Sequence, residues 1–308
     1  MIDTYTSEVI VPHLVDSVYF LSEKVGAVNL GACVMNESAL DFSKRYGPTA
    51  LVTGASDGIG AAMLAELAAR GLNLVLAARR ADRLEAHATS LRSDHGVEVL
   101  VVPVDLGTNE GPDNLVAATR GQDIGLYVAC AGFGTAGRFM DNCASDELNM
   151  IDVNCHALTA VLHPLARQMA ARGRGGIILM SSIVAFQGVA NSANYAATKA
   201  YVQTLAEGLA AELASSGVDV LASAPGPVNT GFATRADMQM GSAASPETVA
   251  KATLRALGKT VTTRPGGQSK LLGYGLAMLP RSFRSRIMGQ IMQGMTKHRD
   301  ANKEKTTA

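Results

Sequence analysis

The sequence predicts an α/β fold in which strands and helices alternate along one domain. Three observations predict it. The run T-A-L-V-T at 49–53 reads as a buried strand, and it passes through a glycine-rich turn into the helix-forming stretch A-A-M-L-A-E-L-A-A-R. Further short apolar runs follow, separated by helical segments, which is the rhythm of a parallel sheet crossed by helices. The chain has 308 residues, 47% hydrophobic and 18% charged, enough for a substantial core. Nothing resembling a linker divides it. We therefore expect one domain over 47–260, an extension over 1–46 and a second extension over 261–308.

Composition removes several function classes. Net charge is zero, so there is no global argument for a nucleic-acid partner. The balance is local, however. From Arg264 onward there are nine Lys/Arg against two Asp/Glu, which makes that tail +7 and the remainder −7. Cys33, Cys130, Cys143 and Cys155 form no C-x-x-C and no metal-ligand spacing. They are expected as reduced thiols in a cytoplasmic protein, with no metal. Asp3 and Glu8, without a basic n-region, argue against a signal peptide, and no run of 18 apolar residues predicts a transmembrane helix.

Leu14, Val18, Leu21 and Val25 recur at helical spacing and predict an amphipathic helix in the first extension. It either packs on the main domain or meets a partner or membrane. After the first strand comes Gly54-Ala-Ser56-Asp57-Gly58-Ile59-Gly60. Strand, glycine turn and helix is the context in which such a motif binds a dinucleotide. The glycines let the backbone approach a pyrophosphate, and the helix N-terminus turns free N–H groups toward it. The spacing is G-x-x-x-G-x-G.

The second strand, L-N-L-V-L-A-A, ends at Ala78-Arg79-Arg80. An acid there would bind the ribose 2′-hydroxyl of NAD. A guanidinium instead suits a 2′-phosphate, so NADP(H) is expected, read by Arg79 first and Arg80 second. The alternative is two solvated arginines at a helix start. A helix over 81–94 leads to the strand V-E-V-L-V-V-P-V and then Asp105-Leu106. Asp105 can accept from an adenine amino group, or it can cap the next helix. A helix over 109–120 and the strand I-G-L-Y-V-A-C lead to the turn Cys130-Ala131-Gly132-Phe133-Gly134, small enough for a nicotinamide ribose to lie close.

A long helix is expected from Ser145 to Arg172, with Asn154 inside it. Asn is a poor helix residue. It either bends the helix around a water linked to Lys199 or sits on a wet face, although Ile151, Val153 and Leu158 around it weaken the second reading. His156 and His163 read as structural. The strand over 176–181 ends at Ser182. Thirteen residues on, Tyr195 and Lys199 stand four apart in an Ala-rich helix and so share a face. A free Tyr is a poor acid at neutral pH, and a neighbouring ammonium can draw its pKa down. Ser182 can hold the oxygen that Tyr195 protonates. Tyr-x-x-x-Lys alone also arises by chance.

After the strand V-D-V-L-A-S-A, the loop Pro225-Gly226-Pro227-Val228-Asn229-Thr230 offers Thr230 to a pyrophosphate or carboxamide. The Gly- and Ala-rich stretch that follows lacks a period and reads as a lid, with Phe232, Met238 and Met240 toward substrate. Ser245-Pro246-Glu247 opens another helix. The Phe186–Asn194 turn and the lid are expected to line a mostly apolar pocket, which favours a lipophilic carbonyl substrate. In the tail, Phe283, Ile287, Met288, Ile291 and Met295 share a helix face. That face either packs against the lid or a neighbouring subunit, or lies on an anionic membrane.

Taken together, T-G-A-S-D-G-I-G at 53–60, Asp105-Leu106, the C-A-G turn at 130–132, Asn154, Ser182, Tyr195 with Lys199, and P-G-P-V-N-T at 225–230 resemble the short-chain dehydrogenase/reductase family over about residues 47–260. The resemblance implies a doubly wound Rossmann sheet of about seven parallel strands. It also implies a catalytic tetrad of Asn154, Ser182, Tyr195 and Lys199, and a phosphate loop of Gly54, Gly58, Ile59 and Gly60. Asp105 then contacts adenine and Thr230 makes a late cofactor contact. The stretches R-Y-G-P-T-A-L-V-T-G-A-S-D-G-I-G and A-A-R-R-A-D-R-L look like the 17β-hydroxysteroid dehydrogenase and very-long-chain 3-oxoacyl reductase branch. Ala129-Cys130-Ala131-Gly132 departs from the family's usual N-N-A-G, which bears on stability more than on catalysis. The implied activity is NADPH-dependent interconversion of a ketone and a secondary alcohol, in a homodimer or homotetramer. A dinucleotide-binding or membrane-surface protein without turnover is the alternative.

Overall fold

The computed structural model describes residues 41–307, with side chains to residue 296. The helix expected around Leu14–Val25, and Cys33, lie outside the described residues. The strands are β1 (Thr49–Thr53), β2 (Asn73–Ala78), β3 (Val99–Pro103), β4 (Ile124–Ala129), β5 (Gly175–Met180), β6 (Val218–Ser223) and the two-residue β7 (Thr262–Thr263). They form one parallel sheet in the order β3-β2-β1-β4-β5-β6-β7. The order reverses beside β1, which opens a crevice at the strands' C-terminal ends between β1 and β4.

Both faces of the sheet are covered, which is why its strands are continuously apolar. All five residues of β1 are buried. Ala50 and Val52 point to one face, where α1 (Gly58–Ala68), α2 (Ala81–His95) and α8 (Pro246–Ala256) supply Met63, Leu84 and Val249. Leu51 points to the other, where α3 (Gly111–Ala118), α5 (Leu158–Arg172) and α6 (Ala193–Leu213) supply Leu115, Val161 and Val202. The doubly wound sheet is thus the predicted one.

The long helix expected over 145–172, with a bend at Asn154 as one reading, is interrupted. It consists of α4 (Ala144–Ile151), a π-turn (Asp152–Ala157) and α5. Asn154 lies in the π-turn and is buried. Its amide is hydrogen-bonded off the helix, and single π-turns arise where such a demand outweighs the regular ladder. The stretch after Thr230 is also not wholly irregular, since α7 (Gly231–Arg235) opens it, capped by the Thr230 hydroxyl.

The seventh strand falls just past residue 260, and two helices follow: α9 (Gly267–Ala277) and α10 (Arg281–Thr307). Leu276, Met288 and Met292 join Ile183, Val184 and Val189 in a third apolar cluster beyond the strand ends. The apolar tail face therefore packs against the domain. Arg264 pins the tail, its guanidinium lying 4.4 Å over Phe186 and 5.5 Å from Tyr274. Among the described residues no helix is long and apolar enough to cross a membrane.

Candidate active site

A cavity of about 1030 Å³ occupies the crevice. At one end lies the turn after β1. Gly58 has φ +57°, and a Cβ there would meet the Thr230 methyl at 2.9 Å. A Cβ at Gly60 would strike the Gly54 carbonyl oxygen, so neither glycine position admits a side chain. The Asp57 carboxylate accepts from Gly58 N at 2.7 Å and caps α1. Arg80 donates to Ser56 Oγ at 3.1 Å and pairs with Asp57 at 3.4 Å, so it braces the turn. Arg79 is freer, with only a loose 3.9 Å approach to Asp105. A bare glycine cradle, a helix N-terminus and an available guanidinium fit a dinucleotide carrying a 2′-phosphate.

Asp105 does not cap the following helix, which starts at Gly111 behind Glu110. Its Oδ1 accepts from Gly107 N at 2.9 Å, an Asx turn at the end of β3. Leu106 is buried and lines the cavity. On the opposite wall the 225–230 loop is held by Gly226 N donating to Ser269 Oγ at 2.6 Å and by the Val228–Ala244 bridge. The Pro225 carbonyl accepts from Ile183 N at 3.0 Å. Thr230 faces Gly58 with its methyl, while its hydroxyl caps α7 by accepting from Phe232 N at 3.2 Å.

At the centre, Ser182 lies two residues past the end of β5, and Tyr195 and Lys199 project from the first turns of α6; all three line the cavity. Burial pushes the Tyr195 phenol up to about 12, against a hydrogen bond from Ser182 that pulls it down. Burial draws Lys199 down to about 8. Its Nζ donates to the Met180 carbonyl at 2.8 Å and lies 5.7 Å from the Tyr195 ring centroid. The expected drawing-down of Tyr195 by Lys199 is therefore absent from this arrangement. Desolvation dominates both groups, and the neighbour that lowers Tyr195 is Ser182.

Asn154 interrupts its helix, as one of the two readings has it, and is buried rather than on a wet face. Its Oδ1 accepts from Phe133 N at 3.1 Å, and its Nδ2 donates to Phe133 O at 2.9 Å and Thr198 Oγ1 at 3.0 Å. Both amide hydrogens are spent, and the side chain clamps the turn after β4 to α6. Ala131 N donates to Thr53 Oγ1 at 3.3 Å, tying that turn to β1 where the family's Asn is replaced by Cys130. A Cβ on Gly132 would lie 2.9 Å from Asn154 Oδ1 and 3.4 Å from Lys199 Nζ, which is why the position has no side chain.

Sequence reasoning missed two contributors. Glu147, buried, accepts from Thr135 Oγ1, Asn142 Nδ2 and Asn194 Nδ2 at 2.7–2.8 Å, fastening α4 to the residue before Tyr195. Arg235 lies 3.6 Å over the Phe133 ring and lines the cavity. The tail also lines it, through Leu272, Met288, Ile291, Met292 and Met295. The Phe186–Asn194 turn does not, because Phe186 is turned toward Arg264. Lid residues Phe232, Met238 and Met240 do line it, and the Phe232 ring lies 5.3 Å from that of Tyr195. Only the apolar spacing of the tail could have signalled its place.

A doubly wound sheet with a glycine turn at its switch point, and a Ser-Tyr-Lys group across the cleft, defines a nucleotide-dependent oxidoreductase. The chain belongs to the short chain dehydrogenase family, whose model matches residues 48–241. It is 34% identical over 184 residues to a 7β-hydroxysteroid dehydrogenase of Clostridium sardiniense, covering 59% of this chain and 70% of that one. A very-long-chain 3-oxoacyl-CoA reductase-like protein of Arabidopsis thaliana is 34% identical over 246 residues, covering 77% and 78%. Among solved structures, a short-chain dehydrogenase from Sphingobium yanoikuyae in complex with NADPH superposes with TM-score 0.70 at 31% identity, covering 75% of this chain and 92% of that one.

Proposed function

We propose that this chain reduces a lipophilic ketone, 3-oxoacyl or steroid-like, to a secondary alcohol with NADPH, and runs in reverse as an alcohol dehydrogenase. The observation that carries the reading is the single cavity that joins a bare glycine cradle, the Ser182–Tyr195 pair and an apolar wall. Support for the substrate class comes from Ile183, Val184, Met288 and Met292 on that wall and from the names of the relatives. Support for NADPH comes from Arg79 and from the NADPH-bound relative.

The nicotinamide, when bound, supplies hydride to the carbonyl carbon. Tyr195, protonated at neutral pH, gives its proton to the developing alkoxide. Ser182, which lines the same cavity as Tyr195 and lowers its pKa, holds the carbonyl oxygen that Tyr195 protonates. Lys199 keeps a positive charge facing the Gly132 turn and holds the nicotinamide ribose there. Asn154 acts as a positioning residue through Phe133 and Thr198. Gly54, Gly58, Ile59 and Gly60 receive the pyrophosphate, with Ser56 and Asp57 shaping the turn. Asp105 and Leu106 border the adenine. Ala131, Gly132, Pro225, Gly226, Val228 and Thr230 form the walls at the nicotinamide end.

We assign the working form to the cytoplasm and to a homodimer or homotetramer. NADPH absorbance, followed over a panel of steroid, 3-oxoacyl and sugar ketones, tests the reading. Turnover is expected with the first two classes and with NADPH over NADH. Preference for sugars, or no turnover with any ketone despite tight NADPH binding, overturns it.

A further inference from the structure

The tail has two apolar faces, and only one of them is packed. The α10 face carrying Met288 and Met292 is buried in the third cluster. Helix α9 buries Leu276 and turns a second stripe outward: Leu271 is 76% exposed, Tyr274 65% and Met278 88%. Residues 271, 274 and 278 follow helical spacing and share one face. Leu279 and Phe283, the latter 53% exposed, extend the patch around the corner into α10. Single exposed apolar side chains are ordinary, but a contiguous row of this kind marks an interaction surface.

Two observations identify what covers it. The first is charge. Between Glu247 and Asp300 there are ten Lys/Arg and no Asp or Glu. Lys270, Arg281 and Arg286, all exposed, stand beside the stripe. An apolar row bordered by cations and free of carboxylates complements a surface with an apolar interior and anionic headgroups. The second is position. Leu271 belongs both to this row and to the cavity lining, with Gln268 and Leu272 beside it on the lining. The patch is thus the outer lip of the cavity mouth.

We infer that the α9 stripe and the α9–α10 corner dock on an anionic lipid bilayer, placing the cavity mouth at the lipid surface so that a lipophilic ketone enters from the membrane. This relocates the sequence expectation from the α10 face, which is packed, to α9 and the corner. The route of entry rests on the proposed substrate class, whereas the docking itself does not.

The test is sedimentation of the full chain with phosphatidylcholine vesicles, with and without phosphatidylglycerol. The protein is expected to pellet with the anionic vesicles at low salt and to be released at high salt. Met278→Glu/Phe283→Glu is expected to reduce pelleting about tenfold or more, with NADPH affinity and reduction of a water-soluble ketone unchanged. Should that variant lose its fold, Met278→Cys bearing an environment-sensitive fluorophore reports the same contact, with a blue shift expected only on anionic vesicles. No pelleting of the unmodified chain at low salt, or equal pelleting of the double variant, overturns the proposal. So does a lipid-free dimer that the double variant dissolves, which would make the patch a contact between copies. Ketone reduction in vesicle-free buffer is scored separately, so failure of docking leaves the reductase reading standing.

Discussion

Lys199 shows what the site costs the fold. Its pKa is drawn down to about 8 from an ordinary value near 10.5 because its ammonium is buried. The folded state therefore binds fewer protons than the unfolded chain between these values, and this group's contribution makes stability rise with pH across that window. Below about pH 8 the burial penalty is fully present. Lys199→Met is expected to melt at the same temperature as the unmodified protein or a few degrees higher at pH 7, while turnover collapses. A clearly lower melting temperature would mean that the bond to Met180 outweighs the charge burial. At the far end of the cleft, Arg79→Ala is expected to weaken NADPH by about 1.5–3 kcal/mol and to leave NADH nearly unchanged, the scale of a charged hydrogen bond. Isothermal titration with both cofactors checks this, and equal losses would remove Arg79 from 2′-phosphate reading. The place of Ser182, Tyr195, Lys199 and Arg79 in the cleft was legible in the sequence, because residue type and spacing pointed there. The clamp role of Asn154 was not, since nothing in its neighbours reveals that its partners are Phe133 and Thr198.

At the scale of elements, two joints position the chemistry. The π-turn lets Asn154 leave the helix and grip the turn after β4. Glu147 on α4 takes hydrogen bonds from Thr135, Asn142 and Asn194, so the loop after β4 and the start of α6 share one anchor. Glu147→Ala removes a buried carboxylate that accepts from three part-buried donors. It is expected to cost about 2–4 kcal/mol in urea unfolding, and to lower kcat more than it raises the Kd for NADPH. A silent substitution would show that α6 holds its place without this anchor. The first six strands were read from sequence almost to the residue, because burial on both faces makes them continuous apolar runs bounded by turns; the two-residue β7, only partly buried, was not. The π-turn and the Glu147 anchor were hidden, because both depend on partners distant in sequence or on backbone geometry that has no residue signature.

For the whole molecule, the parallel sheet and its switch point follow from the alternation of strand and helix, and they set where ligands gather. The tail was legible as amphipathic, with packing against the lid as one of two alternatives, since pattern alone does not say which surface an apolar face meets. A similar ambiguity attends the exposed Leu148 and Ile151 on α4 and Tyr201 on α6. We expect this face to join protomers, and Leu148→Lys/Ile151→Lys to shift the sedimentation coefficient toward a monomer while leaving NADPH affinity intact. An unchanged assembly would place the interface elsewhere. The central claim is that Tyr195 is the proton donor of a ketone reductase. Its most direct test measures kcat for reduction of a bulky ketone, and NADPH affinity in parallel, in Tyr195→Phe. The account predicts an unchanged Kd and a loss of turnover of about 10²–10⁴-fold; turnover within a few-fold of the unmodified enzyme would contradict it.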